Sequence, residues 1–213
     1  SLSYAISAHN LSQTRHYLQQ TIRLLALVLL PILASVTATA GSLVTFVFSA
    51  AYLPAAPILT VLIFVYAAYT IYITLVTSLL AENKPRQALA IPAALLPLAM
   101  ALIWLGITRF GVMGAAYAAL LSVGVAALVV IGYVFYRFRP VLSARSLVRI
   151  LLASLVVFGV ARLWMPTGLI LVLGYGLLGL LYLALLLALR EFRPQDVAMV
   201  RAWFSRTREG KGV

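Results

Sequence analysis

The chain has 213 residues, a hydrophobic fraction of 64%, a charged fraction of 9%, a net charge of +12 and a mean hydropathy of +1.10. Soluble domains carry roughly a quarter charged residues, so this composition excludes an ordinary water-soluble fold and points to a polytopic membrane protein. The absence of cysteine removes disulfides, thiolate catalysis and thiolate metal sites.

Hydrocarbon offers no partner to a backbone N–H or C=O, so a spanning segment must form a helix or belong to a closed barrel. Leu- and Ala-rich runs without strict alternation select helices. The sequence therefore predicts an all-α integral membrane protein. At about 20 apolar residues per crossing, six runs are long enough to span.

Residues 1–20 are mixed polar and read as a cytoplasmic interfacial lead-in, with a helix start at Ser12-Gln13-Thr14-Arg15. Residues 21–135 hold four transmembrane helices. Span a (21–40) contains Pro31, which removes one backbone hydrogen bond, so a kink is expected there and must be compensated by neighbours. The uncharged segment 41–57, with Tyr52, Pro54 and Pro57, reads as a compact turn at the far interface.

Span b (58–81) and span c (88–107, containing Pro92 and Pro97) flank the charged turn that holds Glu82, Lys84 and Arg86. Gly111 and Gly114 allow the chain to reverse into span d (115–135). A basic cytoplasmic loop (136–146) leads to the final pair, span e and span f, within residues 147–189. The tail (190–213) is basic, and Val197, Val200, Trp203 and Phe204 at helical spacing predict an amphipathic helix on an anionic leaflet. The chain starts at Ser1 with no methionine and no cleavable signal peptide, so it is expected to be a piece of a longer protein.

Charge sets the orientation. Fourteen of the sixteen Lys and Arg residues fall on one side of the predicted spans, and only Arg109 and Arg162 on the other. The positive-inside rule then places both termini in the cytoplasm, in a multi-pass protein of the cytoplasmic (inner) membrane. Basic loops of this kind account for the net charge without nucleic acid as a partner.

Chemistry-bearing residues are few. The four acids, Glu82, Glu191, Asp196 and Glu209, lie in turns or the tail and form no acid/base pair across an apolar pocket. His9 and His16 have no acidic or cysteine partner nearby, so no metal site, no cofactor and no enzymatic activity are expected. On span b, Tyr66, Thr70, Thr74 and Thr77 share one helical face. Such hydroxyls either line a polar substrate pathway or bond within their own helix and to neighbours. On span d, Gly114, Ala118, Ser122 and Ala126 recur every four residues, a spacing that lets two helices approach closely. Arg162 is the charge placed inside a span, either a pathway residue or a side chain that reaches the far interface.

Four stretches in order carry a resemblance: RHYLQQTIRLLALVLLP (15–31), FVFSAAYLPAAPIL (46–59), SLLAENKPRQAL (78–89) and RFGVMGAAYAALLS (109–122). Together they resemble the C-terminal part of polysaccharide flippases of the superfamily that also holds multidrug and toxin extruders and the lipid II flippase. Members often have Gly after the Phe of the first turn, where this chain has Ser49. The resemblance implies a two-lobed MATE-like bundle that moves lipid-linked oligosaccharide across the bilayer by alternating access. It implies that spans a to d complete a second lobe, with a first lobe missing. A multidrug or cation antiporter of the same superfamily is the alternative, followed by a membrane-embedded sugar polymerase.

Overall fold

The structure, a computed structural model, describes residues 11–81, 85–138, 144–164, 168 and 170–189. The described residues are helical almost without interruption. α1 is Leu11–Val47, a 3-10 turn covers Ala50–Ala55, α2 is Ala56–Ala81, α3 is Pro85–Phe138, α4 is Ala144–Leu163 and α5 is Ile170–Ala188. All five α-helices contain stretches long and apolar enough to cross a membrane. The expected lead-in before residue 11, the turn around Lys84, much of the basic loop and the tail lie outside the described residues.

α3 is one helix by hydrogen bonding but two by direction. Its one non-helical residue is Gly111 (φ 62°, ψ −149°), a conformation that glycine alone adopts readily. Only four residues of chain advance separate Ala81 from Pro85, so α3 begins within about 14 Å of the end of α2. Near its other end, Val130 and Val134 pack on Leu75 and Val76 of α2 and on Leu18 of α1. A straight helix would carry Val134 about 74 Å from Pro85. The arms 85–110 and 112–138 therefore double back on each other, and Gly106 lies against Gly114 and Ala118.

α1 runs through both halves of the bundle. Leu18 and Ile22 join the cluster with α2 and α3, whereas Leu27, Leu30 and Ala38 join a second cluster with Ile150, Val157, Leu178, Tyr182 and Leu186 of α4 and α5. The Arg23 Nε donates to Ser146 Oγ at 3.2 Å, which sets the starts of α1 and α4 at the same end. Thr39 meets Tyr175 and Leu27 meets Tyr182, so α5 runs antiparallel to α1. Arg23, Arg145 and Arg149 consequently lie toward one end, and Arg109 and Arg162 toward the other.

Two expectations are corrected. The departure from helical torsion in α1 falls at Thr39 (φ −114°, ψ 17°), eight residues beyond Pro31. The expected compact turn over 41–57 is mostly helix: α1 extends to Val47 and the 3-10 turn follows. The reversal is concentrated at Ser49 (φ 118°, ψ 169°), which takes a backbone conformation essentially reserved for glycine.

Leucines and aromatics line the outside. Leu173, Leu177, Leu180 and Leu187 of α5 and Leu151, Leu155 and Leu163 of α4 are all more than half exposed, as are Met100 and Trp104 of α3. A continuous apolar exterior of this extent is stable against lipid tails and would aggregate in water.

Candidate functional site

Two polar features stand out against this apolar background, one on the outside of α2 and one between α1 and α5. The first is the predicted hydroxyl stripe. The buried residues of α2 are Val61, Ala67, Leu75 and Val76. At 100° per residue, Tyr66, Thr70, Thr74 and Thr77 lie on the side of the helix away from Val61 and Leu75, with buried Ala67 bordering the stripe beside Thr74. Tyr66 is 67% exposed, Thr77 is exposed, and Thr70 and Thr74 are half-buried. The stripe therefore faces away from the core that the described residues build.

Each threonine hydroxyl of the stripe donates to its own helix. Thr70 Oγ1 bonds to Tyr66 O at 2.7 Å, Thr74 Oγ1 to Thr70 O at 2.7 Å, and Thr77 Oγ1 to Thr74 O at 2.8 Å. This is the local arrangement in which β-branched hydroxyls tolerate an apolar environment. It leaves the oxygen lone pairs as acceptors on the outward side.

Gly114, Ala118, Ser122 and Ala126 are all buried in the second arm of α3. Ser122 donates to Ala118 O at 2.7 Å, so even its hydroxyl is satisfied locally. The close approach at Gly106 and Gly114 is between the two arms of α3 themselves. Arg162 sits in the last turn of α4, exposed and one residue from the helix end, where its positive charge complements the helix C-terminus. The structure brings Arg162 into no cluster with the hydroxyl stripe.

The second polar feature was not singled out from the sequence. Pro31 has no N–H, so the carbonyl four residues earlier, Leu27 O, loses its helical partner. Tyr182 of α5 donates its hydroxyl to that oxygen at 2.8 Å. Two turns away, Tyr175 Oη lies 2.6 Å from Thr39 Oγ1, which donates to Ser35 O at 2.8 Å. Ser154 of α4 is buried nearby, and its hydroxyl has no geometrically sound partner among the described residues.

Between these bonds lies a cleft of about 350 Å³, bordered by Pro31 and Ser35 of α1, Val157 of α4, and Tyr175, Gly179 and Tyr182 of α5. A signal for this seam existed in the sequence: two tyrosines seven residues apart share a face of the most apolar helix. A buried phenol needs a partner, and Pro31 creates an acceptor that needs a donor.

No three His, Asp or Glu side chains come together among the described residues. The four acids and His9 lie outside them, and of His16 only the backbone is described. Compared with protein-family models, curated proteins and solved structures, the chain matches none.

Proposed function

We propose that the chain is part of a flippase that moves a lipid-linked oligosaccharide across the cytoplasmic membrane by alternating access. The observation that carries this reading is the outward hydroxyl face of α2: Tyr66, Thr70, Thr74 and Thr77 lie on the side of their helix away from Val61 and Leu75. A transporter built from two helical lobes places its polar pathway between them. A hydroxyl face turned away from its own lobe is where that pathway would run, against a first lobe supplied by a longer chain. Carrying sugar hydroxyls and a diphosphate through hydrocarbon is costly unless polar groups replace water along the way.

In this reading the two arms of α3 are separate crossings, which gives six spans. The doubling back at Gly111 supports it, since each arm has 26 or 27 residues, enough for one bilayer. Both termini and the Lys84, Arg145 and Arg149 end face the cytoplasm, and Gly111 and Arg162 face the opposite side. The resemblance of residues 15–122 to polysaccharide flippases supplies the substrate class.

The test uses the intact protein in cells. The Thr70→Val/Thr74→Val change keeps side-chain shape and removes hydroxyls that contribute little to folding. Lipid extracts should then show a lipid-linked oligosaccharide accumulating on the cytoplasmic leaflet, as on deletion of the gene. Unchanged lipids in the deletion, with new sensitivity to cationic drugs, would instead support the antiporter. Unchanged lipids in the double variant alone would remove the stripe from the pathway.

A further inference from the structure

α1 carries two backbone defects, and a tyrosine of α5 sits on each. Pro31 leaves Leu27 O without its helical N–H, and Tyr182 supplies the donor at 2.8 Å. At Thr39, where the torsion is non-helical, the hydroxyl has one proton and gives it to Ser35 O. Tyr175, 2.6 Å from the same oxygen, is therefore the donor to Thr39. Both phenols thus donate a hydrogen bond from α5 to the 27–39 stretch of α1.

A cleft opens on the surface beside that stretch. The cleft of about 350 Å³ runs along Pro31, Ile32, Ser35 and Val36 on one wall and Gly179 on the other. A helix with a proline at one point and a non-helical torsion eight residues further on bends between the two in preference to elsewhere. We propose that residues 31–39 of α1 form a hinge, latched in the present geometry by Tyr175 and Tyr182 of α5. α5 then sets the direction of the outer arm of α1, which ends at Val47 beside the 3-10 turn.

The latch has a chemical signature that separates it from ordinary packing. Tyr182→Phe keeps the ring and removes the one donor to Leu27 O. Pro31→Ala returns a backbone N–H that reaches the same oxygen. Pro31→Ala therefore helps the Tyr182→Phe background more than it helps the parent, whereas a role for Tyr182 in packing alone makes the two gains equal.

These 213 residues hold no cysteine, so a spin-label pair placed on them meets no competing thiol within the stretch. Val47→Cys and Leu173→Cys are exposed positions on α1 and α5. Val47 lies about 12 Å along the helix beyond Thr39, so a 30° bend moves it by about 6 Å. In the intact protein in lipid nanodiscs, the labelled parent should give one narrow distance. Tyr175→Phe/Tyr182→Phe should broaden it or displace it by about 6 Å, and Tyr182→Phe alone should do so in part. Pro31→Ala added to Tyr182→Phe should narrow the distribution again and raise the folded yield by a larger factor than it does in the parent. An unchanged distribution in the double variant, or an equal factor in the two backgrounds, overturns the hinge. Should the double variant fail to fold, the two factors alone decide: a larger one in Tyr182→Phe supports the latch, and equal ones overturn it.

Discussion

Substituting Gly114 by alanine puts the geometry of α3 to its hardest test. A Cβ at Gly106 would meet Gly114 O at 2.5 Å and its carbonyl carbon at 2.9 Å, and one at Gly114 would meet Phe110 Cβ at 2.6 Å as well as the Gly106 backbone. These neighbours are mostly backbone and cannot rotate away. Ordinary contact for a Cβ at Gly114 requires the two arms to separate by more than about 1 Å, a gap that forfeits about half of each atom pair's dispersion energy along the seam. The cost of Gly114→Ala works out at about 2 kcal/mol, roughly thirtyfold in the folded fraction.

Gly124 lies ten residues further along the same arm, and a Cβ there meets nothing within 4 Å. Gly124→Ala is therefore expected to be neutral or to stabilise by about 0.5 kcal/mol through lost chain entropy. Reversible unfolding in bicelles, by steric trapping or SDS titration, measures both variants on one scale. Equal stabilities for Gly114→Ala and Gly124→Ala would refute the close approach of the arms.

Three further outcomes follow from the backbone and from the proposed topology. Gly111→Ala should destabilise by about 1–2 kcal/mol in the same assay, and since nothing lies within 4 Å, the whole cost is torsional. Ser49→Gly should stabilise by about 1 kcal/mol, because it removes the strain of a non-glycine residue at φ 118°. With six crossings, a membrane-impermeant maleimide applied to intact spheroplasts should label Phe110→Cys, at the bend, but not Ser143→Cys in the basic loop until the cells are opened. Equal labelling of the two before lysis would require an even number of crossings between them and would refute the six-span topology.

Hydropathy made the helices legible, because in lipid each segment must satisfy its own backbone and so declares itself by a run of apolar residues. The limits were less legible. Nothing in span a marks Val47 as its end, since Gly41, Ser42 and Thr45 look like turn residues; Thr45 donates to Gly41 O and Ser42 O and so stays within the helix. The regular spacing of Gly114, Ala118, Ser122 and Ala126 announced a close-packed face, but its partner, Gly106 in the preceding arm, could not be read from the stripe itself. The hydroxyl face of α2 was visible as a periodicity, whereas its direction depends on where Val61, Ala67, Leu75 and Val76 find neighbours. Tyr175 and Tyr182 were passed over in a Leu-rich span, because their role depends on a proline and a threonine more than 130 residues earlier.

The bond between Tyr182 and Leu27 joins residues 155 positions apart. At about 5–20 residues per second, the ribosome needs roughly 8–30 s to make the second residue after the first. Throughout that interval the Leu27 carbonyl has neither its own helix nor α5 to bond with. α1 must therefore wait with its proline turn against water, headgroups or the insertion machinery until α5 arrives. The order of synthesis thus leaves the proline turn of α1 to be completed by a helix made long after it.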